Sequence, residues 1–227
     1  MQRYTTWHGL PSSEELPCSD DTPVDNELQN LVPNLLASTL AIAWADRMDW
    51  FFGVDMGIYF DPEKPPLVPD GFLSLGVERF VDPEGRLSYV LWEEDGVVPI
   101  FVLEVVSKTY GGEYERKKID YADLGILYYV IYAPGRRRRK RPPLEVFKLT
   151  DGRYEAQTGE PFWMPEIGLA IAREEGLYQG WQREWLFWYD EAGNKLRTAE
   201  EIALQERRRA ERLEAKLRAL GVDPTTL

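Results

Sequence analysis

The strongest constraint on the fold is a pair of apolar segments with one helical segment between them. Residues 100–106 and 126–132 are rich in β-branched and aromatic side chains, and apolar residues occupy both faces of each predicted strand. Strands of this kind are covered on both sides, as at the centre of a sheet. Residues 113–124 have helical character, and Gly125 suits the stop of that helix. A helix joining two buried strands predicts a parallel crossover.

The other segments predict a mixed α/β fold. Residues 25–45 repeat leucines at helical spacing, although Pro33 interrupts the pattern. Residues 198–220 predict a C-terminal amphipathic helix, which begins with a capping box formed by Thr198 and Glu201. Extended segments are predicted at residues 50–60, 67–75, 144–149, 153–157, 169–173 and 184–189. We expect a mixed sheet flanked by helices, with extra antiparallel strands near the end of the chain.

The C-terminal helix differs in kind from the rest of the chain. It carries a weak apolar seam that includes Leu213, Leu217 and Leu220. Packing on a second copy, as a homodimer, and packing on its own domain are both open interpretations of this seam. We therefore divide the chain into a domain at residues 1–190 and an oligomerisation or packing appendage at residues 191–227.

A single cysteine, Cys18, and a single histidine, His8, limit the chemistry that this chain can perform. They exclude an internal disulfide and a cysteine-cluster zinc site, and they argue against a Ser-His-Asp triad. The chain start lacks the apolar core of a signal peptide, and residues 35–45 are too short an apolar stretch to span a bilayer. We expect a soluble, cytoplasmic protein with no membrane partner, which uses carboxylates, lysines and a bound metal.

The charge is distributed unevenly. The net charge is −12, with 9 basic and 23 acidic residues in positions 1–135 and 18 basic and 16 acidic residues in positions 136–227. This balance argues against a generic, charge-driven nucleic-acid binder. The basic run at residues 136–141 is able to contact phosphates. It also fits a solvated hairpin tip, because turn residues flank it on both sides.

Two carboxylates stand where a catalytic site needs them. Glu104 lies in the most apolar strand, where a lone carboxylate costs several kcal/mol unless it is paired or bound to a metal. Asp70 follows a proline in an adjacent extended segment. Carboxylates on neighbouring strands can hold Mg²⁺, which prefers oxygen ligands. Lys117 and Lys118, on the helix that follows, would supply positive charge beside a phosphate. Together these residues predict a site for phosphodiester hydrolysis.

These residues also carry a resemblance to a known family. Asp70 after its proline, the apolar strand with Glu104, Ser107 and the sequence EYERKKIDYADLG at residues 113–125 resemble the Uma-type family of restriction endonucleases. That family belongs to the PD-(D/E)XK nuclease superfamily. The resemblance extends from about residue 20 into the C-terminal helix.

The resemblance implies a restriction-endonuclease-like core with the order helix, three strands, helix, strand. It implies a divalent metal, Mg²⁺ or alternatively Mn²⁺, held by Asp70 and Glu104. The superfamily places a lysine two residues after the second carboxylate, but Val106 occupies that position here. The resemblance implies that Lys117, on the following helix, takes over the role of that lysine. The supporting residues that we carry over or infer are Glu27, Glu113 and Ser107.

The resulting prediction is a Mg²⁺-dependent DNA endonuclease. The candidate phosphate contacts are Lys118, Arg137, Arg138 and Arg139. A catalytically weak or inactive nuclease-fold protein, which acts through protein or nucleic-acid interactions, is the alternative that the acidic body favours. A nucleotide or small-molecule phosphodiesterase is a third hypothesis. Structural roles are also open, since Lys117 could pair with Glu113 on the helix surface and Tyr121 could be a core residue.

Overall fold

The computed structural model describes residues 9–17, 26–81, 83–106, 114–135, 141–220 and 223. Three helices lie in these residues: α1 Glu27–Ala43, α2 Arg116–Leu124 and α3 Ala199–Ala219. The first strands along the chain are β1 Trp50–Val54, β2 Ile58–Tyr59, β3 Gly71–Leu75, β4 Tyr89–Val90, β5 Phe101–Val105 and β6 Tyr128–Tyr132. The later strands are β7 Leu144–Thr150, β8 Arg153–Ala156, β9 Phe162–Met164, β10 Leu169–Tyr178 and β11 Trp181–Tyr189.

A six-stranded mixed sheet with the order β1-β3-β5-β6-β7-β8 forms the centre of the fold. Strands β5 and β6 are parallel and are joined by α2, whereas the other neighbouring pairs are antiparallel. The predicted crossover is therefore confirmed, as is the predicted mixed sheet flanked by helices. Strands β11-β10-β9 form a second, antiparallel sheet, and β2 pairs with β4. These are the extra antiparallel strands expected near the end of the chain, together with a short inserted pair.

Both faces of the central sheet are covered. On one face, leucines of α1 pack with Phe101 and with Trp188 of β11, whose indole N–H donates to the carbonyl of Leu36 at 3.2 Å. On the other face, Tyr121 of α2 packs with Tyr129 and further apolar side chains. Every residue of β5 and β6 is buried as a result. This double cover explains why the two segments read as continuously apolar.

Helix α3 begins as predicted but is almost bare of tertiary packing. Thr198 Oγ1 accepts from the Glu201 N–H at 3.1 Å, and Glu201 Oε2 accepts from the Thr198 N–H at 3.0 Å, so the capping box forms. None of the 21 residues of α3 is buried. Leu213 and Leu220 are 52% and 78% exposed. Helices in proteins draw most of their stability from a packed face, which the described residues do not provide for most of α3. The division of the chain into residues 1–190 and 191–227 stays a prediction. None of the helices in the described residues is apolar over a stretch long enough to cross a membrane.

A chain that ends at Lys195 should be a monomer if the leucine seam of α3 joins two copies. The exposed Leu213 and Leu220 would then find their apolar partners on the second copy. Light scattering on the truncated and full-length chains measures the masses. A Leu213→Gln/Leu220→Gln variant keeps the helix and should also be a monomer. One and the same monomeric mass for all three proteins would leave α3 as a solvated appendage.

Candidate active site

The register of the central sheet brings three carboxylates into one row. Gly71, the first residue of β3, pairs with Val54 of β1 on one side and with Leu103 of β5 on the other. The next position outward on each of these three strands is acidic. The three residues in this row are Asp55, Asp70 and Glu104. The ladder continues through the row, since the N–H of Asp55 donates to the carbonyl of Asp70 at 3.2 Å.

Asp70 is held by the end of the neighbouring strand. Its side chain is only 8% exposed, and its Oδ2 accepts from the N–H of Val105 at 2.6 Å. Strand β3 begins at Gly71, so no carbonyl of this strand pairs with the Val105 N–H. The Asp70 carboxylate accepts that hydrogen bond instead. The absence of a side chain at Gly71 matters for this placement, because a Cβ there would lie 2.9 Å from Cβ of Pro33 on α1.

Burial and, after it, the negative charge of Glu104 raise the pKa of Asp70 from its ordinary value of 3.8 to about 8. The hydrogen bond from Val105 and the ammonium of Lys117 oppose this shift, whereas Asp55 adds to it. Without a cation, Asp70 is therefore mostly protonated at neutral pH. Two close, buried carboxyl groups that cannot easily ionise together are typical of functional sites.

Glu104 is held by two side chains of α2. Lys117 Nζ donates to both carboxylate oxygens, at 2.9 and 2.8 Å, and the hydroxyl of Tyr121 donates to Oε1 at 2.6 Å. Lys117 and Tyr121 are four residues apart and therefore lie on one face of α2. The partner that a carboxylate in an apolar strand requires is thus Lys117, which lies on the following helix.

Sequence reasoning missed two residues of this site. Tyr121 packs in the core as expected, but its hydroxyl also contacts Glu104, and both burial and that negative charge raise the pKa of Tyr121 well above its ordinary value. The sequence signal for Tyr121 is its position four residues after Lys117, which places both side chains on one face of α2. The sequence carries no local signal for Asp55, because its proximity to Asp70 depends on strand pairing. Its φ of 48° is unusual for a residue other than glycine.

Two of the other candidate residues, Lys118 and Glu27, lie in the described part of the chain and do not join this cluster. Lys118 Nζ lies 3.5 Å from the centre of the Phe147 ring on β7, and burial lowers the pKa of Lys118. Glu27 is exposed in the first turn of α1. Several candidates fall outside the described residues: Ser107, Glu113, Arg137, Arg138 and Arg139.

The β6–β7 hairpin, whose connecting residues include the basic run at residues 136–141, is called the basic hairpin. Its base lies beside the start of α2. Arg141 is the last residue of the basic run, and its guanidinium lies 4.2 Å from the centre of the Tyr114 ring. It also pairs with Glu145 at 3.2 Å. Tyr114 precedes α2, the helix that carries Lys117. The β6–β7 hairpin and the site therefore share this helix as a neighbour.

Comparison with protein families decides the relationship of this chain. A model of the Uma2 family, described as "Putative restriction endonuclease", matches residues 21–178. The chain belongs to the Uma2 family. The resemblance inferred from the sequence is thereby confirmed, and with it a nuclease-like function at the level of the family. The match includes the acidic row, Lys117 and Tyr121, and it ends at the last residue of β10, before α3 begins.

A solved structure is also similar to this chain over part of its length. A crystal structure from Anabaena variabilis, described as "a putative nuclease belonging to DUF820", is 11% identical to this Uma2 chain, with a TM-score of 0.43. The similarity covers 63% of this chain and 74% of that one. Comparison with curated proteins gives no match.

The donor set of this Uma2 site fits a hard divalent cation. Asp70 and Glu104 offer oxygen ligands, and a cation between them would relieve the repulsion that raises the pKa of Asp70. No group of three acidic, histidine or cysteine side chains in the described part of the chain is arranged to hold an ion. Mg²⁺ commonly binds through one or two carboxylates, with waters and substrate phosphates as its other ligands. Two carboxylates therefore suffice for this kind of site.

Lys117→Met should lower the free energy of unfolding at neutral pH by about 2–3 kcal/mol, which corresponds to about 5–10 °C in Tm. The variant leaves the buried Glu104 without its ammonium partner, and the partial exposure of Lys117 keeps the cost below that of a fully buried pair. Thermal and urea unfolding measure the effect. The control is Arg116→Met, which removes an 88% exposed cation of the same helix and should change stability by less than about 0.5 kcal/mol. Equal stability of the two variants would contradict the pairing.

Proposed function

We propose that this Uma2 chain is a divalent-metal-dependent DNA endonuclease, with Asp70 and Glu104 as metal ligands and Lys117 as the cation beside the phosphate. One observation carries the proposal. Lys117 reaches across from α2 to both oxygens of Glu104, in the row where Asp70 also stands. Two carboxylates that can hold a cation, with a lysine beside them, can support metal-dependent phosphodiester hydrolysis.

Each of these side chains has a distinct task. Asp70 and Glu104 would hold the cation, and Tyr121 orients Glu104 through its hydroxyl. A bound Mg²⁺ or Mn²⁺ supplies positive charge to the phosphate and lowers the pKa of a water molecule. Lys117 would donate its N–H groups to a phosphate oxygen beside Glu104, where they would stabilise the negative charge that develops.

The position of Val106 is consistent with a lysine supplied by α2. Val106 is 3% exposed and belongs to the apolar cluster that contains Tyr121. A lysine at this position would have to bury its stem among those side chains. Lys117 brings an ammonium to Glu104 from the helix instead. This supports the proposal that Lys117 supplies the positive charge that the superfamily's lysine would supply at position 106.

We propose that DNA phosphates contact the basic hairpin and the start of α2. The contact of Arg141 with Tyr114 supports this, because it holds the base of the hairpin against the helix that carries Lys117. Arg137, Arg138 and Arg139 would then extend the positive surface near the scissile phosphate.

The end of the Uma2 match at residue 178 supports a nuclease domain within residues 1–190, with residues 191–227 as an appendage.

Cleavage of supercoiled plasmid DNA by the full chain tests the function. We expect nicked and linear products with Mg²⁺ or Mn²⁺ and none with EDTA. Bis(p-nitrophenyl) phosphate is the comparison substrate, because its hydrolysis without plasmid cleavage would indicate a small-molecule phosphodiesterase. Intact plasmid at every metal and salt concentration would refute the endonuclease.

A catalytically inactive nuclease-fold protein is the second candidate, and the occupied state of Glu104 favours it. Lys117 and Tyr121 satisfy the carboxylate without any cation, so a metal must compete with an ammonium for the same oxygens. Calorimetric titration with Mg²⁺ and Mn²⁺ separates the two candidates. Binding that is lost in Glu104→Gln supports the endonuclease, whereas no binding to the wild type supports the inactive protein.

A further inference from the structure

A second charged site lies at the base of α3, away from the acidic row in sequence. It is a cleft of about 480 Å³ between α3 and the segment that leads into it. We call it the arginine cleft. The side chains that line it include Lys195, Arg197, Glu201, Leu204, Arg208 and Arg212.

Three cations of this cleft have no acidic partner among the described residues. Lys195 is neutralised, since its Nζ lies 2.8 Å from a carboxylate oxygen of Glu201 and 3.1 Å from one of Glu174. By contrast, the exposed guanidinium groups of the cleft form no ion pair or hydrogen bond within the part of the chain that the structure describes. These three residues are Arg197, Arg208 and Arg212.

The other arginines of α3 behave differently. Three of them pair with a glutamate three or four residues away on the helix. These pairs are Arg207 with Glu211, Arg209 with Glu206 and Arg218 with Glu214. The arginines of the helix are therefore neutralised elsewhere on its surface and uncompensated where they line the cleft. In a chain with a net charge of −12, such a concentration of unpaired cations points to an anionic partner.

The cleft and the leucine seam are separate surfaces of α3. Arg208 and Arg212 are one turn apart, so they lie on one face and about 6 Å apart along the helix axis. Leu213 lies about 100° further around the helix than Arg212. A partner at the cleft therefore need not compete with a second copy at the seam.

We propose that the arginine cleft binds the phosphodiester backbone of DNA, as a contact remote in sequence from the catalytic residues. The inference rests on the proposed function, which makes DNA the substrate. Guanidinium groups match phosphate oxygens in pairs, whereas the cleft offers a single large apolar side chain, Leu204. Protein interfaces are anchored by apolar and aromatic residues, but interfaces with DNA are polar and positively charged. The polar and positively charged lining of the cleft is therefore typical of an interface with DNA.

Two triple variants with the same change in charge test the cleft. One is Arg197→Gln/Arg208→Gln/Arg212→Gln. The control, with changes at the paired arginines, is Arg207→Gln/Arg209→Gln/Arg218→Gln. Glutamine is a good helix former, and circular dichroism checks that α3 persists in both. Fluorescence anisotropy with a labelled duplex in EDTA measures binding without cleavage, at salt concentrations from 50 to 200 mM.

The cleft variant should lose about 2.7 from the slope of log affinity against log salt, at about 0.9 for each of three phosphate contacts. Between 50 and 200 mM salt, wild-type affinity should therefore fall about 40-fold more than that of the cleft variant. The control should keep the wild-type slope. Equal slopes for the two variants, or a wild type that does not bind the duplex, would overturn the inference.

The remaining outcomes separate this inference from the proposed function. Binding that depends on the cleft, in a protein that never cleaves plasmid, supports the cleft and refutes the endonuclease. Cleavage by a protein whose duplex binding ignores the cleft refutes the cleft alone. A cleft variant with an unchanged salt slope but a changed mass in light scattering would overturn the inference in favour of a protein partner.

Discussion

Asp70→Asn should abolish Mg²⁺-dependent DNA cleavage, with a loss of more than about a hundredfold in rate. Replacing residues that only support metal ligands already costs about 10–100-fold, and Asp70 is proposed as a ligand itself. Asparagine is nearly isosteric with aspartate and keeps an oxygen to accept from the N–H of Val105. The variant should therefore fold like the wild type, so the loss reports on the charge of Asp70. Plasmid cleavage and Mg²⁺ calorimetry measure the two effects.

The matched control for this variant is Asp151→Asn. Asp151 is exposed in the β7–β8 turn and has a φ of 48°, a conformation that asparagine also tolerates. The control makes the same exchange of a carboxyl group for a carboxamide and should cleave at the wild-type rate. If Asp70→Asn cleaves as fast as Asp151→Asn, Asp70 is only the end of a strand ladder and the proposed metal site is wrong.

The metal-free protein should lose stability as the pH rises from about 4 to about 8. The folded-state pKa of Asp70, about 8, lies above the ordinary value of 3.8, so the folded protein binds the extra proton throughout this range. The stabilising contribution is complete below the unfolded-state pKa and disappears as the pH passes through the folded-state pKa. The expected slope from this group is about −1.4 kcal/mol per pH unit inside the window.

Urea unfolding in EDTA at several pH values measures this slope. Other carboxylates also titrate at the acidic end, so the informative quantity is the difference between the wild type and Asp70→Asn. The variant has no ionisable group at this position and should lack the decline. Saturating Mg²⁺ should restore the stability of the wild type at pH 8 and leave the variant unchanged, because a ligand stabilises only the state that binds it. Parallel pH profiles of wild type and variant would contradict the raised pKa.

The sequence by itself determined the elements whose signals are local. The continuous apolar character of β5 and β6, with the helical segment and Gly125 between them, predicted the parallel crossover that the sheet contains. Thr198 and Glu201 predicted the start of α3 in the same way. These patterns are readable because periodicity and capping depend on residues close together in the chain. The need of Glu104 for a partner was also predictable, because an unpaired charge in an apolar strand is costly wherever the other segments lie.

Tertiary structure decided how distant residues combine. The row of Asp55, Asp70 and Glu104 exists because the register of three strands aligns them, and a shift of one residue would turn each side chain to the other face. The orientation of α2 made Tyr121 a partner of Glu104 and turned Lys118 toward Phe147 instead. The arginine cleft likewise depends on how α3 leaves the body of the protein. Register and packing angle arise from contacts between segments far apart in the chain, so no local pattern encodes them.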